Sequence, residues 1–532
     1  MKKLLLCILT VLLFQQVNAQ PLNTNLSNGV IFDGEPYIAL NPANNKNLVA
    51  AWMGMKFSSG MFRIAIKTRA SFDGGNTWST VNPLPHVVTA YTSADVSMAF
   101  DKTGLLYLSY IDSRQAPDSG GVYVVRSSDG GSNWDAPSKA FDAYDVTAKL
   151  PIDSPWLVVD NSNTANSGTL YITTKPAPWI APPNRNYYKV SSDSGHSWSA
   201  IANVDGGTHL VGNAIAAPMA APATTMNGKF CAVYPSYVVS QNILPAYYLA
   251  ASSDKGQTFS YTTVYAASPA ALDTNCKNGY RLVANPNDSN QMIFLSPTGA
   301  NGDADIMAFH SNNGGQTWSS PVRVNDDAVG NGKIQDMVWA TYNEQGNAAV
   351  TWRDRRNSAV NGFWNSDYDF YYAISIDNGQ TFSANQKLSS QLVAFDSILT
   401  QNGNDFMSCV YLSDTLYTVW GDTRNGKMNI YFSKSIASSN TNIGITLLDG
   451  EEPSFMIFPN PGNEQMNVVV SDKFIGKQIT ISDESGKEVL TFSAIKQNEI
   501  NISQLKSGIY FLKEKSNNNT YTQKFVKQQQ DR

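Results

Sequence analysis

Apolar and polar positions along this chain fall into short alternating runs, and the runs come three at a time. EPYIAL, NLVAAW and FRIAIKTRAS form the first set, DVSMAF, LLYLSYID and VYVVRSS the second, and DMVWATY, AAVTWRD and FYYAISI the sixth. Runs of this length with a period of two predict strands rather than helices. Six sets are each followed by one turn: SFDGGNTWS (71–79), SSDGGSNWD (127–135), SSDSGHSWS (191–199), SSDKGQTFS (252–260), SNNGGQTWS (311–319) and SIDNGQTFS (375–383). The copies recur about every sixty residues, a period that marks one supersecondary unit repeated about an axis. A seventh set, DFMSCVY, TLYTVWGD and NIYFSKS (405–435), keeps the three strands and lacks the turn. The pattern therefore predicts an all-β chain of seven four-stranded units.

Inside each turn the spacing has a mechanical reading. A carboxylate such as Asp73 accepts backbone N–H groups of its own turn, Gly75 gives the freedom a reversal needs, and the ring of Trp78 pins the hairpin down. The pattern resembles the Asp-box, or bacterial neuraminidase repeat, of sialidase-like β-propellers. The matching positions are Asp73, Asp129, Asp193, Asp254, Asn313 and Asp377, with Asn in the fifth copy and Phe259 and Phe382 replacing Trp in the fourth and sixth. The resemblance implies a β-propeller over residues 20–437. Seven blades follow from the units; six, the number usual in sialidases, would make one unit an embellishment. In that family the box is a folding device and says little about chemistry.

The ends of the chain read differently. MKKLLLCILTVLLFQQVNA has two lysines, a short apolar run and a small residue at Ala19, which predicts a signal peptide over 1–19 and no retained membrane span. The polar stretch 438–453 reads as a linker. From 454 to 532 the FPNPG opening (458–462), the strand MNVVV, ITISDESGKEV, INISQLKSGIYFLK and the closing KFVK resemble the C-terminal sorting domain of type IX secretion. This implies a small β-sandwich, the type IX machinery as a partner, a Gram-negative source of the Bacteroidota type, and a product secreted or held at the cell surface.

Composition narrows the function classes. A formal charge of −5 without a basic cluster argues against nucleic acid, and four scattered histidines show no metal-ligand spacing. The acid-rich turn NGDAD (301–305) is assigned no calcium, and no cofactor is expected. After the signal peptide only Cys231, Cys276 and Cys409 remain, so at most one disulfide can form and the fold must rest on its core.

Candidate chemistry lies on the face that carries the loops between second and third strands and between blades. Asp112 with Arg114, Asp354 with Arg356, and Asp422 with Arg424 each end a second strand. Asp33, Glu35, Asp95, Asp153, Asp336 and Asp405 stand just before first strands, and Trp179, Trp364 and Tyr368 lie in neighbouring loops. Carboxylates, guanidinium groups and exposed rings suit sugar recognition, since rings stack on pyranose faces and Arg grips a carboxylate at two points. A pair recurring in several blades is more simply a contact between blades. That reading is favoured for Asp112 and Arg114, and ligand contact for Arg356.

Sialidase resemblance implies an Arg triad, one member in an Arg-Ile-Pro motif on the first strand. Here that strand reads Gly34-Glu35-Pro36-Tyr37, and Phe62-Arg63-Ile64-Ala65 lies on the third strand without the Pro. No Tyr matches the nucleophile by motif, so whether the chain is an enzyme stays open. The expected function is a secreted or surface-attached propeller that recognises extracellular glycans. The alternatives are an exo-sialidase-like glycoside hydrolase or a polysaccharide lyase, and a protein-binding adhesive scaffold.

Overall fold

The computed structural model describes residues 23–437 apart from 59, 116–117, 213–214, 216–217, 238–245, 268–278, 363–364 and 396–403. In the C-terminal region it describes 455–458, 464–470, 475–493, 497–516 and 519–528. The expected signal peptide (1–19), the expected linker 438–453, Trp364 and Cys276 lie outside the described residues. The chain divides into two compact units at residue 442.

The first unit is built from seven four-stranded antiparallel sheets, six of them simple meanders along the chain. Their first strands are Asp33–Leu40, Thr92–Phe100, Asp153–Val159, Ala221–Thr224, Arg281–Ala284, Gln335–Tyr342 and Ser408–Leu412. Each first strand touches the first strands of the blades before and after it, and the seventh touches the first. That closed ring is a seven-bladed propeller, as the seven sets of runs predict.

Blade seven has three strands of its own. Its fourth is Asn23–Asn25 from the opposite end of the propeller, paired antiparallel to Asn429–Ile436 with Asn23 opposite Ser433. The alternating runs do not reveal this, because a three-residue polar strand carries no periodicity. Middle strands read as continuous apolar runs because each blade is covered on both faces by its neighbours. Trp52, Trp352 and Trp420, at matching places on second strands, are fully buried between blades.

The Asp-boxes rivet one blade to the blade before it. In the first box Ser71 Oγ donates to Asp73 (2.9 Å) and accepts the Gly75 N–H (2.9 Å), while Asp73 accepts the N–H (2.9 Å) and hydroxyl (2.6 Å) of Thr77. Led by the bonds from Thr77, these hold the Asp73 carboxyl down to about 2. In the fifth box Asn313 keeps the geometry with a neutral amide, its Oδ1 accepting the Thr317 N–H (2.9 Å) and its Nδ2 donating to the Thr317 hydroxyl (2.7 Å). The box ring reaches back one blade. Trp78 meets Phe432 at 5.2 Å, Phe259 meets Tyr188 at 5.5 Å, and Trp134 Nε1 donates to Thr68 Oγ1 (3.3 Å).

The second unit has a three-stranded sheet (Phe455–Phe458, Gln465–Val470, Gln497–Asn501) and a four-stranded one (Glu488–Ser493, Gln478–Asp483, Gly508–Ser516, Asn519–Lys527). Met466 and Val468 from the first sheet share one core with Ile479, Ile481, Leu512 and Phe525 from the second. It is the small β-sandwich that the C-terminal pattern predicts.

Candidate functional site

In a meander blade the start of the first strand, the turn between second and third strands and the link to the next blade share one face, and the boxes lie on the other. On the first of these faces the first strands of blades one, two, three and six open with a register shift. The residue at each shift adopts a left-handed backbone: Glu35 (φ 52°), Asp95 (φ 45°), Ser154 (φ 53°) and Met337 (φ 53°). Asn404 (φ 106°) and Gly279 (φ 80°) take the same place in blades seven and five. Such a backbone costs a non-glycine residue about 1 kcal/mol or more. Neighbouring blades hold it in place, Asn404 Oδ1 accepting the Glu35 N–H (3.2 Å) and Asp95 Oδ2 the Ser154 N–H (2.8 Å).

Two residues beyond the bulges of blades one, three and six, and beyond Asn404 of blade seven, a ring fills the axial channel. Tyr37 meets Trp339 at 5.3 Å, Trp156 meets Trp339 at 5.8 Å, and Trp156 meets Phe406 at 5.0 Å. Arg281, two after Gly279, lays its guanidinium 4.0 Å over the Trp339 ring. Rings from four blades thus make a floor with one cation set into it.

Acidic side chains gather at the mouth of this floor. Glu35 lies within hydrogen-bonding reach of Asp95 and Asp95 within reach of Asp153, with the charge of Asp405 acting on both Glu35 and Asp95. Burial, and then the charges of Asp95 and Asp405, push the Glu35 carboxyl well above the usual carboxylate range. Burial, and then Asp153, push Asp95 up to about 8. Protons therefore sit on this cluster at neutral pH, while Asp153 is ion-paired with Lys175. Glu35 is only 4% exposed, and its Oε1 accepts the Asn404 N–H (3.3 Å). Among the described residues its Oε2 meets no backbone N–H, side-chain N–H or hydroxyl, and its carboxyl neighbour is Asp95.

The three Asp/Arg pairs have other employment. Asp354 accepts Trp352 Nε1 (2.7 Å) and the Arg356 guanidinium (2.8 Å), and Arg356 continues to Asp326 (2.6 Å) and Asn385 (2.7 Å) while stacked on Tyr371 at 4.3 Å. Asp422 repeats this with Trp420 Nε1 (2.9 Å) and Arg424 (2.6 Å), and Arg424 reaches Ser390 (2.8 Å) and Asn23 of the closing strand (3.2 Å). Both pairs tie a second strand to its surroundings and are not gathered into one rim site. Asp112 does not pair with Arg114. It holds His86 Nδ1 (2.8 Å), the Val87 N–H (2.7 Å) and Ser93 Oγ (3.0 Å), while Arg114 is exposed.

The remaining candidates divide in the same way. Asp33 is fully buried, accepting Trp52 Nε1 (2.8 Å) and Lys67 Nζ (2.7 Å). A side chain on Gly54 would strike its carboxylate, which is why that strand carries glycine there. Asp336 is wrapped by Arg353 (2.6 Å) and Arg355 (3.1 Å), whose charges hold it below the usual range although burial opposes them. Tyr368 is fully buried with the Arg353 guanidinium 5.0 Å from its ring centre. The axial layer of Trp156, Arg281, Trp339 and Phe406 escapes sequence reasoning, since its members come from different blades with no common residue type. A groove of about 530 Å³ lies on the opposite face between the boxes of blades three and four, lined by Tyr188, Trp198 and Lys255, and does not meet this cluster.

Residues 456–528 match the secretion system C-terminal sorting domain. The chain thus carries a type IX sorting signal and is directed to the cell surface or the medium. No helix among the described residues is long and apolar enough to cross a membrane. No curated protein matches the sequence. Among solved structures, a protein of unknown function from Dyadobacter fermentans is similar at 16% identity over 62% of this chain and 94% of its own, with a TM-score of 0.41. A Hadza microbial sialidase is 13% identical over 70% of this chain and 73% of its own, with a TM-score of 0.41. An α-L-arabinofuranosidase of Fusarium graminearum, solved with arabinobiose, is 14% identical over 78% and 98%, with a TM-score of 0.39. No residue of this chain is matched to theirs on that basis.

Proposed function

We propose that the propeller recognises extracellular glycans at its axial mouth. The observation that carries this reading is Glu35: a nearly buried carboxyl whose Oε2 meets no N–H or hydroxyl of the protein among the described residues, paired with the Asp95 carboxyl and next to a floor of aromatic rings. Sugar hydroxyls donate to such an oxygen, protonated carboxyls donate back to sugar oxygens, and rings cover the apolar face of a sugar. The sorting domain supports the placement of this site outside the cell.

A second reading, glycoside hydrolysis, is favoured by Asp95. A carboxyl raised to about 8 keeps its proton at neutral pH and has the state a general acid needs. Asp153, ion-paired with Lys175, is the neighbouring carboxyl. A glycan panel, read both for binding and for released sugar, tests the two together. Wild type is expected to bind, and Glu35→Gln to lose binding without a fall in melting temperature. Undiminished binding by Glu35→Gln contradicts the site. Sugar release that disappears in Asp95→Asn selects the second reading.

A further inference from the structure

The acid line Glu35, Asp95 and Asp153 belongs to the inner ends of blades one, two and three. Outboard of it, on the same three blades and the same face, large rings stand in solvent. Phe57 (62% exposed) and Phe62 (50%) tip the hairpin of blade one, Tyr144 (62%) lies in the link from blade two to blade three, and Trp179 (51%) lies between the second and third strands of blade three.

Folding does not require these exposures. The second and third strands of blade one, Leu48–Ser58 and Met61–Ser71, run eleven residues each, against seven in the corresponding strands of blade six. The extra length lifts Phe57 and Phe62 clear of the core as a pair with centroids 5.1 Å apart. Tyr144 is fixed by its hydroxyl, which donates to the Asp118 carbonyl (2.6 Å), so its ring is held in place. The loop of Trp179 is braced by Lys149, whose ammonium donates to the carbonyls of Ala181 (2.9 Å) and Pro183 (2.8 Å). Tyr144 and Trp179 stand singly on polar, braced loops and offer stacking platforms, and the Phe57–Phe62 pair, with the exposed Met61 beside it, adds a broader one.

We propose that these rings form a track for an extended, uncharged polysaccharide, running outward over blades one to three from the axial mouth. This rests on the glycan reading above and adds the ligand class: a chain of several sugars rather than one terminal residue. Absence of charge follows from the balance at the mouth, where four acids face the single guanidinium of Arg281, itself laid over the Trp339 ring. An acidic sugar would set its carboxylate among Glu35, Asp95, Asp153 and Asp405, whereas hydroxyls suit carboxyls that both donate and accept. Arg356 and Arg424, the guanidinium groups that would grip an anion at the rim, are closed on Asp354 and Asp422.

The test uses the full chain as secreted with ladders of neutral gluco-, manno- and arabino-oligosaccharides, and with sialylated and uronic-acid glycans of matching length. Affinity for a neutral ladder is expected to rise with chain length. Trp179→Ala and the double change Phe57→Ala with Phe62→Ala are expected to weaken binding of the long members about tenfold while leaving the short members and the melting temperature unchanged. Length-independent binding that these variants do not alter overturns the track and leaves the axial site standing. Preference for the acidic glycans overturns the ligand class. Failure to bind any glycan overturns the functional reading and the track with it.

Discussion

Asp95 and Asp73 are the same residue type, held at opposite ends of the carboxyl range by what surrounds them. Asp95 keeps its proton in the fold up to about pH 8, whereas in the unfolded chain it loses it near the ordinary value of about 4. Stability from this proton is full below about pH 4 and is lost as the pH rises towards 8. Glu35, also raised, acts in the same sense. Asp73, Asp193 and Asp254, each lowered to about 2, run the other way: their contribution is present above about pH 4 and lost as the pH falls towards 2. The melting temperature is thus expected to peak at about pH 4 to 5 and to decline towards pH 8. Asp95→Asn, which cannot titrate, should flatten that decline, and an unchanged slope in a series of thermal melts would count against protons stored at the mouth. The box aspartates were legible in the sequence because nearly all their partners lie within four residues of them. Glu35, Asp95, Asp153 and Asp405 were legible as loop acids, but their assembly was not, since it depends on bulges that four different residue types adopt.

At the scale of elements, the Trp-x-Asp-x-Arg run at the end of the second strands of blades six and seven is a clamp. Its indole and guanidinium both close on one buried carboxylate. Arg424→Ala leaves Asp422 buried without its cation and also releases Asn23, so it is expected to cost about 3 kcal/mol of stability. Arg114→Ala, at an exposed side chain, should be nearly neutral; denaturant unfolding of the two variants side by side checks this. Asp129→Ala removes the bonds to the N–H groups of Ser132 and Asn133 and is expected to cost about 1 kcal/mol, the turn being open to solvent. Asp129→Asn should cost less, because Asn313 already shows that an amide serves a box. The strand Asn23–Asn25 closes the ring through hydrogen bonds to Asn429–Ile436. The sequence pattern hid it because strand pairing between the two ends of a chain leaves no local mark.

For the whole molecule, seven blades were legible from repeat, period and turn, and the small sandwich from the resemblance of the tail to a sorting domain. The route to the outside was legible in the tail, and the match over residues 456–528 agrees with it. Removing residues 454–532 is expected to leave a folded propeller that fails to reach the surface or medium, which fractionation of cells making the truncated chain would detect. On the reading proposed above, ligand recognition belongs to the axial mouth and the Asp/Arg pairs hold the blades together. Glycan affinity and melting temperature measured together for Glu35→Gln and Arg356→Ala test it most directly. Glu35→Gln is expected to lose affinity without a fall in melting temperature, while Arg356→Ala melts earlier and binds normally when folded. Loss of affinity in Arg356→Ala at full stability, with Glu35→Gln binding as wild type, would contradict it.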